Sequence, residues 1–254
     1  RADSCESYGS LNLMKGGLYN CTKITTVSPT YANEIRTPEY GCGLDGVLRF
    51  RGADLIGIIN GVDTDAWNPQ TDEFIAANYS LSDMKGKSAC KKALQKRLGL
   101  DVSAKKPVFG VVSRLYSQKG LDLLARIAGE LVGHMDIQIA ILGTGEHWLE
   151  NAFSDLTAKF PGKISAYIGF DNELAHQIEA GSDFFIMPSR FEPCGLNQMY
   201  SMMYGTLPIV RATGGLEDTV DQYSESTGSG DGFKFSDATC EALYNTIGWA
   251  CSTW

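Results

Sequence analysis

Two cations stand on one short run, Ser113-Arg114-Leu115-Tyr116-Ser117-Gln118-Lys119-Gly120. Arg114 and Lys119 could give charge-assisted hydrogen bonds to a departing phosphate; as bare residue types they would serve equally as two solvated surface cations. Further on, Thr213-Gly214-Gly215 carries no bulky side chain and opens a helical pattern. Free backbone N–H groups and the helix dipole at such a start favour an anion such as a diphosphate, though a plain turn has the same letters. Glu192 lies in the tight turn Arg190-Phe191-Glu192-Pro193-Cys194-Gly195. A carboxylate there can bind hydroxyls and support positive charge, or simply face water. Leu142-Gly143-Thr144-Gly145 is a lone G-x-G, weak as a phosphate motif and better read as a tight turn. Phe170, after Tyr167-Ile168-Gly169, could stack on a nucleobase or fill a core. His176, among Leu174, Ala175 and Ile178, reads as a packing residue. No Asp-x-Asp stands at a strand end and no His/Cys cluster has zinc spacing, so neither metal nor cofactor is expected.

Most of these residues sit where strands should end. Val108–Ser113, Ile137–Leu142, Ile164–Gly169, Phe184–Met187 and Leu207–Val210 read as strands. Helices fall between them, among them Leu121–Val132, with Leu121, Leu124, Ala125, Ala128 and Val132 aligned on one face. This alternation predicts an α/β fold with a doubly wound parallel sheet. Loops leaving such strands meet at the carboxyl edge, where open α/β sheets bind ligands. After Phe184–Met187 a helix is marked by Leu196, Met199, Tyr200, Met203 and Tyr204 and closed by Gly205. Earlier in the chain the reading is a helix over 10–21, a strand Lys23–Val27, and a helix from Pro29 through Arg36 with Ser28 as cap. Residues 41–52, Gly-rich and without periodicity, read as a loop. Leu55–Ile59 reads as a buried strand before an Asn60-Gly61 turn. Residues 64–83 form a polar connection, Met84–Leu98 an amphipathic helix, Ser224–Gly232 a mobile loop and Cys240–Cys251 a last helix.

The 254 residues suffice for one large or two modest domains. With 22 basic against 30 acidic residues the net charge is −8, which argues against nucleic acid or an anionic membrane as partner. No apolar run approaches a membrane span. The seven cysteines are odd in number and form no C-x-x-C pair. They read as reduced thiols in a reducing compartment, most of them core fillers.

The run SRFEPCGLNQMYSMMYGTLPIVRATGGLEDTV closely resembles the starch and glycogen synthases, the bacterial-type and plastid glucan synthases that use a nucleotide sugar. KGGLYNCTKITTVSPTYANEI, INGVDTDAWNP, VSRLYSQKGLDLL and YIGFDNELAHQIEAGSDFF resemble the same family in the same order, so the likeness covers nearly the whole chain. The resemblance implies the GT-B arrangement, two Rossmann-like domains facing across a cleft. Residues 1–66 would be the C-terminal part of the first, acceptor-side domain. Residues 67–254 would be the second, nucleotide-sugar-binding domain, without its final helices, so the chain reads as a fragment.

It further implies retaining transfer of glucose from ADP-glucose to the non-reducing end of an α-1,4-glucan, releasing ADP. Arg114 and Lys119 would hold the diphosphate and Glu192 the sugar. Asn60, Gly169, Phe170, Cys194, Gly195, Leu196, Thr213, Gly214 and Gly215 would line the nucleotide-sugar site. Tyr200 replaces a second glutamate of the wider superfamily, so a two-carboxylate double displacement cannot be assembled from this motif. Lys15-Gly16-Gly17-Leu18 has the letters of the family's nucleotide motif, but its context LNLMKGGLYNC matches a different helix, and no nucleotide role is carried to Lys15. The partners implied are ADP-glucose and the glucan, in a bacterial cytoplasm or a plastid stroma. The rival readings are a related transferase using a UDP-sugar and a non-catalytic glucan-binding module.

Overall fold

The computed structural model describes residues 4–254. The chain divides into two compact units. The first runs through Gly61 and also takes in Phe191–Gly195 and Thr213–Asp218; the second holds Val62–Arg190, Leu196–Ala212 and Thr219–Trp254.

In the first unit, β1 (Glu6–Ser7) and β2 (Ser10–Leu11) pair antiparallel. Their turn is Tyr8-Gly9, with φ of 53° and 77°, the left-handed pair that a tight hairpin needs. Helix α1 (Leu13–Asn20) begins after Asn12, whose side chain accepts from the Lys15 amide. It is therefore shorter than the expected 10–21, because Ser10 and Leu11 are taken up by the hairpin. β3 (Ile24–Thr26) and β4 (Leu55–Gly57) pair in parallel. Between them α2 (Pro29–Glu34) is capped by the Ser28 hydroxyl, which accepts from the Tyr31 amide, and has proline in its first turn.

The expected loop 41–52 is corrected: Asp45–Arg51 is a helix, α3. Asp45 stands in its first turn and pairs with Arg49 one turn on, at 2.7 Å. Its Val47 and Leu48 are buried with Ile24, Ala32 and Leu55. That small core forms the helix despite a sequence without a clear period.

The second unit is built on a six-stranded sheet. Its strands are β5 (Val108–Val112), β6 (Gln138–Gly143), β7 (Ile164–Ile168), β8 (Phe184–Met187), β9 (Leu207–Arg211) and β10 (Phe233–Phe235). All pair in parallel. The spatial order is β10-β9-β8-β5-β6-β7. The chain thus winds outward from β5 through β6 and β7, then restarts at β8 and winds the other way.

Helices cover both faces. Phe109, Val111, Ile139 and Ile141 pack with α5 (Leu121–His134), α6 (His147–Lys159) and α10 (Cys240–Thr253). The alternate residues Val108, Ala140, Leu142 and Phe185 pack with Leu94 of α4 (Lys85–Arg97) and with Leu174 and Ile178 of α7 (Asn172–Gly181). The period-2 switch of faces is what a doubly wound parallel sheet requires.

Among the described residues none of the seven cysteines is in a disulfide, and only Cys90 and Cys194 are buried. The expectation that most are core fillers is corrected: Cys21 and Cys42 are exposed and the other three are half-buried.

Candidate active site

The switch from outward to reversed winding falls between β5 and β8, where a crevice opens at the carboxyl edge. A cavity of about 320 Å³ lies at this edge of the second unit. It is lined by Ser113 and Arg114 after β5, Gly143 and Thr144 after β6, Gly169 and Phe170 after β7, with Asn197 and Trp67. Arg114, Gly169 and Phe170, with Gly143 and Thr144 of the G-x-G run, are thus brought together. Phe170 is 88% exposed, so its reading as a core aromatic falls away.

The G-x-G run earns its glycines through packing. A Cβ on Gly143 would lie 2.0 Å from the Ser113 carbonyl oxygen, and one on Gly145 2.3 Å from that of Leu115. The loops after β5 and β6 are pressed together there, as the tight-turn reading expects.

Lys119 does not line the cavity; it ends a 3-10 turn over Ser117–Lys119. The turn is closed by Gly120, with φ of +69° and an ideal Cβ only 1.9 Å from the Pro188 carbonyl oxygen. Arg190 braces the same loop. Its amide donates to the Gln118 carbonyl at 2.9 Å. Its guanidinium donates to both carboxylate oxygens of Asp122, at 2.5 and 2.8 Å, and to the Ser117 carbonyl. Planar bidentate pairing fixes direction as well as distance. The loop carrying the two cations is therefore tied to the end of β8.

Trp67 was missed by the sequence reading, since it sits in the polar connection 64–83. Its indole is stacked between His176 (3.9 Å, 4°) and Tyr200 (4.1 Å, 6°). His176 is buried, and its Nδ1 lies 2.8 Å from Asp72 Oδ2. The Tyr204 hydroxyl donates to the same oxygen at 2.5 Å. Burial first, then this bond to Asp72, pushes the Tyr204 phenol up. His176 is thus a packing residue with a satisfied nitrogen. Tyr200, at the position of the missing glutamate, is a wall for Trp67. Asn197 begins α8 (Asn197–Met203) and donates from Nδ2 to the Val112 carbonyl at 2.7 Å. Leu196, the residue before that helix, is 37% exposed and is not among the cavity-lining residues.

The other candidate residues fall in the first unit: Asn60, Glu192, Cys194, Gly195, Thr213, Gly214 and Gly215. Glu192 and Cys194 are buried, and Asn60 is exposed. Burial raises the Cys194 thiol; a backbone hydrogen bond from Asn60 opposes this, and the charges of Glu192 and Asp218 add to it. Gly195 has φ of +73°, a left-handed residue in the turn. α9 (Gly214–Thr219) starts beside them.

One expectation is corrected here: the amides of Gly214 and Gly215 are not free. The Gly214 amide donates to Glu34 Oε1 at 2.9 Å, and the Thr213 hydroxyl to the same oxygen at 2.8 Å. The Gly215 amide donates to the carbonyls of Glu192 and Pro193 at 3.1 and 3.2 Å. The anion at this helix start is a carboxylate of the protein itself. Among the described residues no three His, Cys, Asp or Glu side chains could together hold a metal ion.

A doubly wound parallel sheet with a cavity over the carboxyl ends of β5, β6 and β7 defines an open α/β unit of the kind that binds ligands at that edge. Comparison with known proteins narrows this class. Residues 95–250 match the family of glycosyl transferases group 1, and residues 1–50 match the starch synthase catalytic domain. The chain is 54% identical over 249 residues to glycogen synthase 1 of Geobacter metallireducens, covering 98% of this chain and 49% of that one. It is 52% identical over 245 residues to the glycogen synthase of Thermosipho africanus, covering 96% and 50%. Among solved structures, the catalytic domain of starch synthase IV from Arabidopsis thaliana, bound to ADP and acarbose, superposes with a TM-score of 0.92 at 37% identity, over 100% of this chain and 52% of that one. A sucrose-phosphate synthase from Thermosynechococcus elongatus shares the fold at a TM-score of 0.63 and 17% identity. The chain belongs to the group 1 glycosyl transferases, on their glycogen and starch synthase branch. It spans about half the length of the curated relatives it matches.

Proposed function

We propose that this chain carries the donor-binding part of a glucan synthase. The enzyme transfers glucose from ADP-glucose, with retention, to the non-reducing end of an α-1,4-glucan and releases ADP. The observation that carries the reading is the cavity at the β5/β8 switch point, with Arg114 and Phe170 on its rim, in a chain 54% identical to a glycogen synthase. The starch synthase that superposes on this chain holds ADP and acarbose, which favours an adenine nucleotide and a glucan.

In this reading Phe170 stacks on the adenine, and Gly169 leaves room for the nucleoside. Arg114 and Lys119 hold the diphosphate and offset charge as the glucosyl bond breaks. Glu192 binds sugar hydroxyls and supports positive charge at the anomeric carbon, aided by Asn60 and the Cys194-Gly195-Leu196 backbone. The released diphosphate takes the acceptor's proton on the same face, which leaves no duty for a second carboxylate and suits Tyr200 at that position. Residues 1–66 then belong to an acceptor-side domain and 67–254 to the nucleotide-sugar domain. The chain's net charge of −8 disfavours nucleic acid as a partner, and among the described residues no helix is long and apolar enough to cross a membrane. The two glycogen synthases named above are bacterial, which favours a cytoplasmic setting over a plastid stroma.

Calorimetric titration of the chain with ADP-glucose and with UDP-glucose tests this. ADP-glucose is expected to bind measurably and at least about tenfold more tightly, a difference of ~1.4 kcal/mol. Equal affinity, or a preference for UDP-glucose, would sink the donor assignment. Glucan binding without either nucleotide sugar would point to a binding module.

A further inference from the structure

We infer that Glu34 is a positioning residue for the loop that carries Glu192, and that the anion position at the start of α9 is filled by this internal carboxylate. The functional weight of the loop rests on the proposed role of Glu192; the positioning itself does not.

Successive hydrogen bonds within the first unit link α2 to the loop that carries Glu192. α2 is fastened to residues 213–218 at both of its ends. At its start, the Thr30 amide and hydroxyl donate to Asp218 at 3.0 and 2.5 Å, and the Ser28 hydroxyl donates to the same carboxylate. At its end, Glu34 Oε1 takes the Thr213 hydroxyl and the Gly214 amide. Thr213 and Ser28 are buried, so the bonds made by their hydroxyls are partly shielded from water, whereas the two bonds from Thr30 to the exposed Asp218 face solvent. Residues 213–215 in turn carry the Glu192 loop. The Gly215 amide donates to the Glu192 and Pro193 carbonyls. Contact is close enough that a Cβ on Gly214 would lie 1.9 Å from the Glu192 carbonyl oxygen, and one on Gly215 2.2 Å from that of Cys194. Gly214 also has φ of +47°, a conformation that glycine adopts without strain.

A shift of Thr213-Gly214 therefore moves the backbone on which Glu192 and Cys194 stand, and Glu34 is what resists that shift. Oε1 makes both contacts. Oε2 is buried with no hydrogen-bond partner among the described residues. A glutamine, which keeps the Oε1 acceptor, should hold the loop where an alanine cannot.

The test uses Cys194 as a local reporter. It is buried against this backbone and can be alkylated only when the loop opens. Iodoacetamide labelling is followed at each cysteine by mass spectrometry in the parent, Glu34→Ala and Glu34→Gln chains. Cys5, packed on α1 in the same unit, and Cys90, buried in the second unit, report any wider unfolding. Glu34→Ala is expected to speed labelling of Cys194 about tenfold or more, as loss of hydrogen bonds to a charged acceptor implies, with Cys5 and Cys90 unchanged. Glu34→Gln is expected to stay within about threefold of the parent. Unchanged Cys194 in Glu34→Ala, or Cys5 or Cys90 rising in step with it, would overturn the inference. A failure of the chain to bind ADP-glucose would leave this result untouched, so the two readings fail separately.

Discussion

Replacing Phe170 with alanine should separate binding from stability. The ring is 88% exposed on the rim of the donor cavity, so its removal uncovers little core and opens no internal void. Loss of a buried phenylalanine would cost about 3–5 kcal/mol, whereas exposed positions away from special features usually stay within about 0.5 kcal/mol. A ring stacked on a nucleobase is worth about 1–3 kcal/mol, which is roughly a 5- to 150-fold loss of affinity. Phe170→Ala is therefore expected to weaken ADP and ADP-glucose alike by that factor, while the urea midpoint stays put. Phe170→Tyr keeps the π face and should bind within about threefold of the parent. The assay is calorimetric titration beside chemical denaturation of the same preparations. An ADP Kd unchanged within twofold in Phe170→Ala, or a stability loss of several kcal/mol, would refute the assignment of this ring to the base.

Two further outcomes follow from the packing. Glu179 is buried, its Oε2 has no partner among the described residues, and burial pushes its carboxyl well above 4.5 against the opposing pull of the Lys87 charge. The folded chain then keeps a proton that the unfolded chain has released, so this group's contribution falls as pH rises above about 4.5. In Tm scans between pH 4.5 and 7, Glu179→Gln should gain on the parent as pH rises; a constant gap would contradict the shift. Gly120→Ala places a methyl group 1.9 Å from the Pro188 oxygen in a left-handed conformation. It should cost about 2–4 kcal/mol in urea denaturation and weaken ADP binding by displacing the Lys119 loop. A cost under about 1 kcal/mol would show that the loop yields freely.

The second unit was legible because its strands are apolar runs of ordinary length at regular intervals, each bounded by turn residues. β10 was not: three residues, Phe233-Lys234-Phe235, follow a Ser/Gly loop, and only pairing with β9 makes them a strand. α3 hid behind Gly46 and Gly52, since two buried side chains and an Asp45–Arg49 pair, rather than a long period, hold it. Among the candidate residues, Arg114, Lys119 and Glu192 lie in runs whose motif is itself informative. Trp67 and Glu34 carry no such signal. Trp67 depends on His176 and Tyr200, and Glu34 on Thr213-Gly214, partners far away in the chain. The same distance explains the misreading of Thr213-Gly214-Gly215. From sequence the amides look open, but the Gly214 amide is taken by a carboxylate from an unrelated segment and the Gly215 amide by the Glu192 and Pro193 carbonyls.

The most direct test of the account compares ADP with adenosine, by calorimetry, on the parent chain and on Arg114→Ala/Lys119→Ala. Each charge-assisted contact to the diphosphate is worth about 1.5–3 kcal/mol. The parent should therefore bind ADP at least about tenfold more tightly than adenosine, and the double variant should lose that difference while keeping its adenosine affinity. A preference for ADP that survives both substitutions would contradict the claim that these two cations hold the diphosphate.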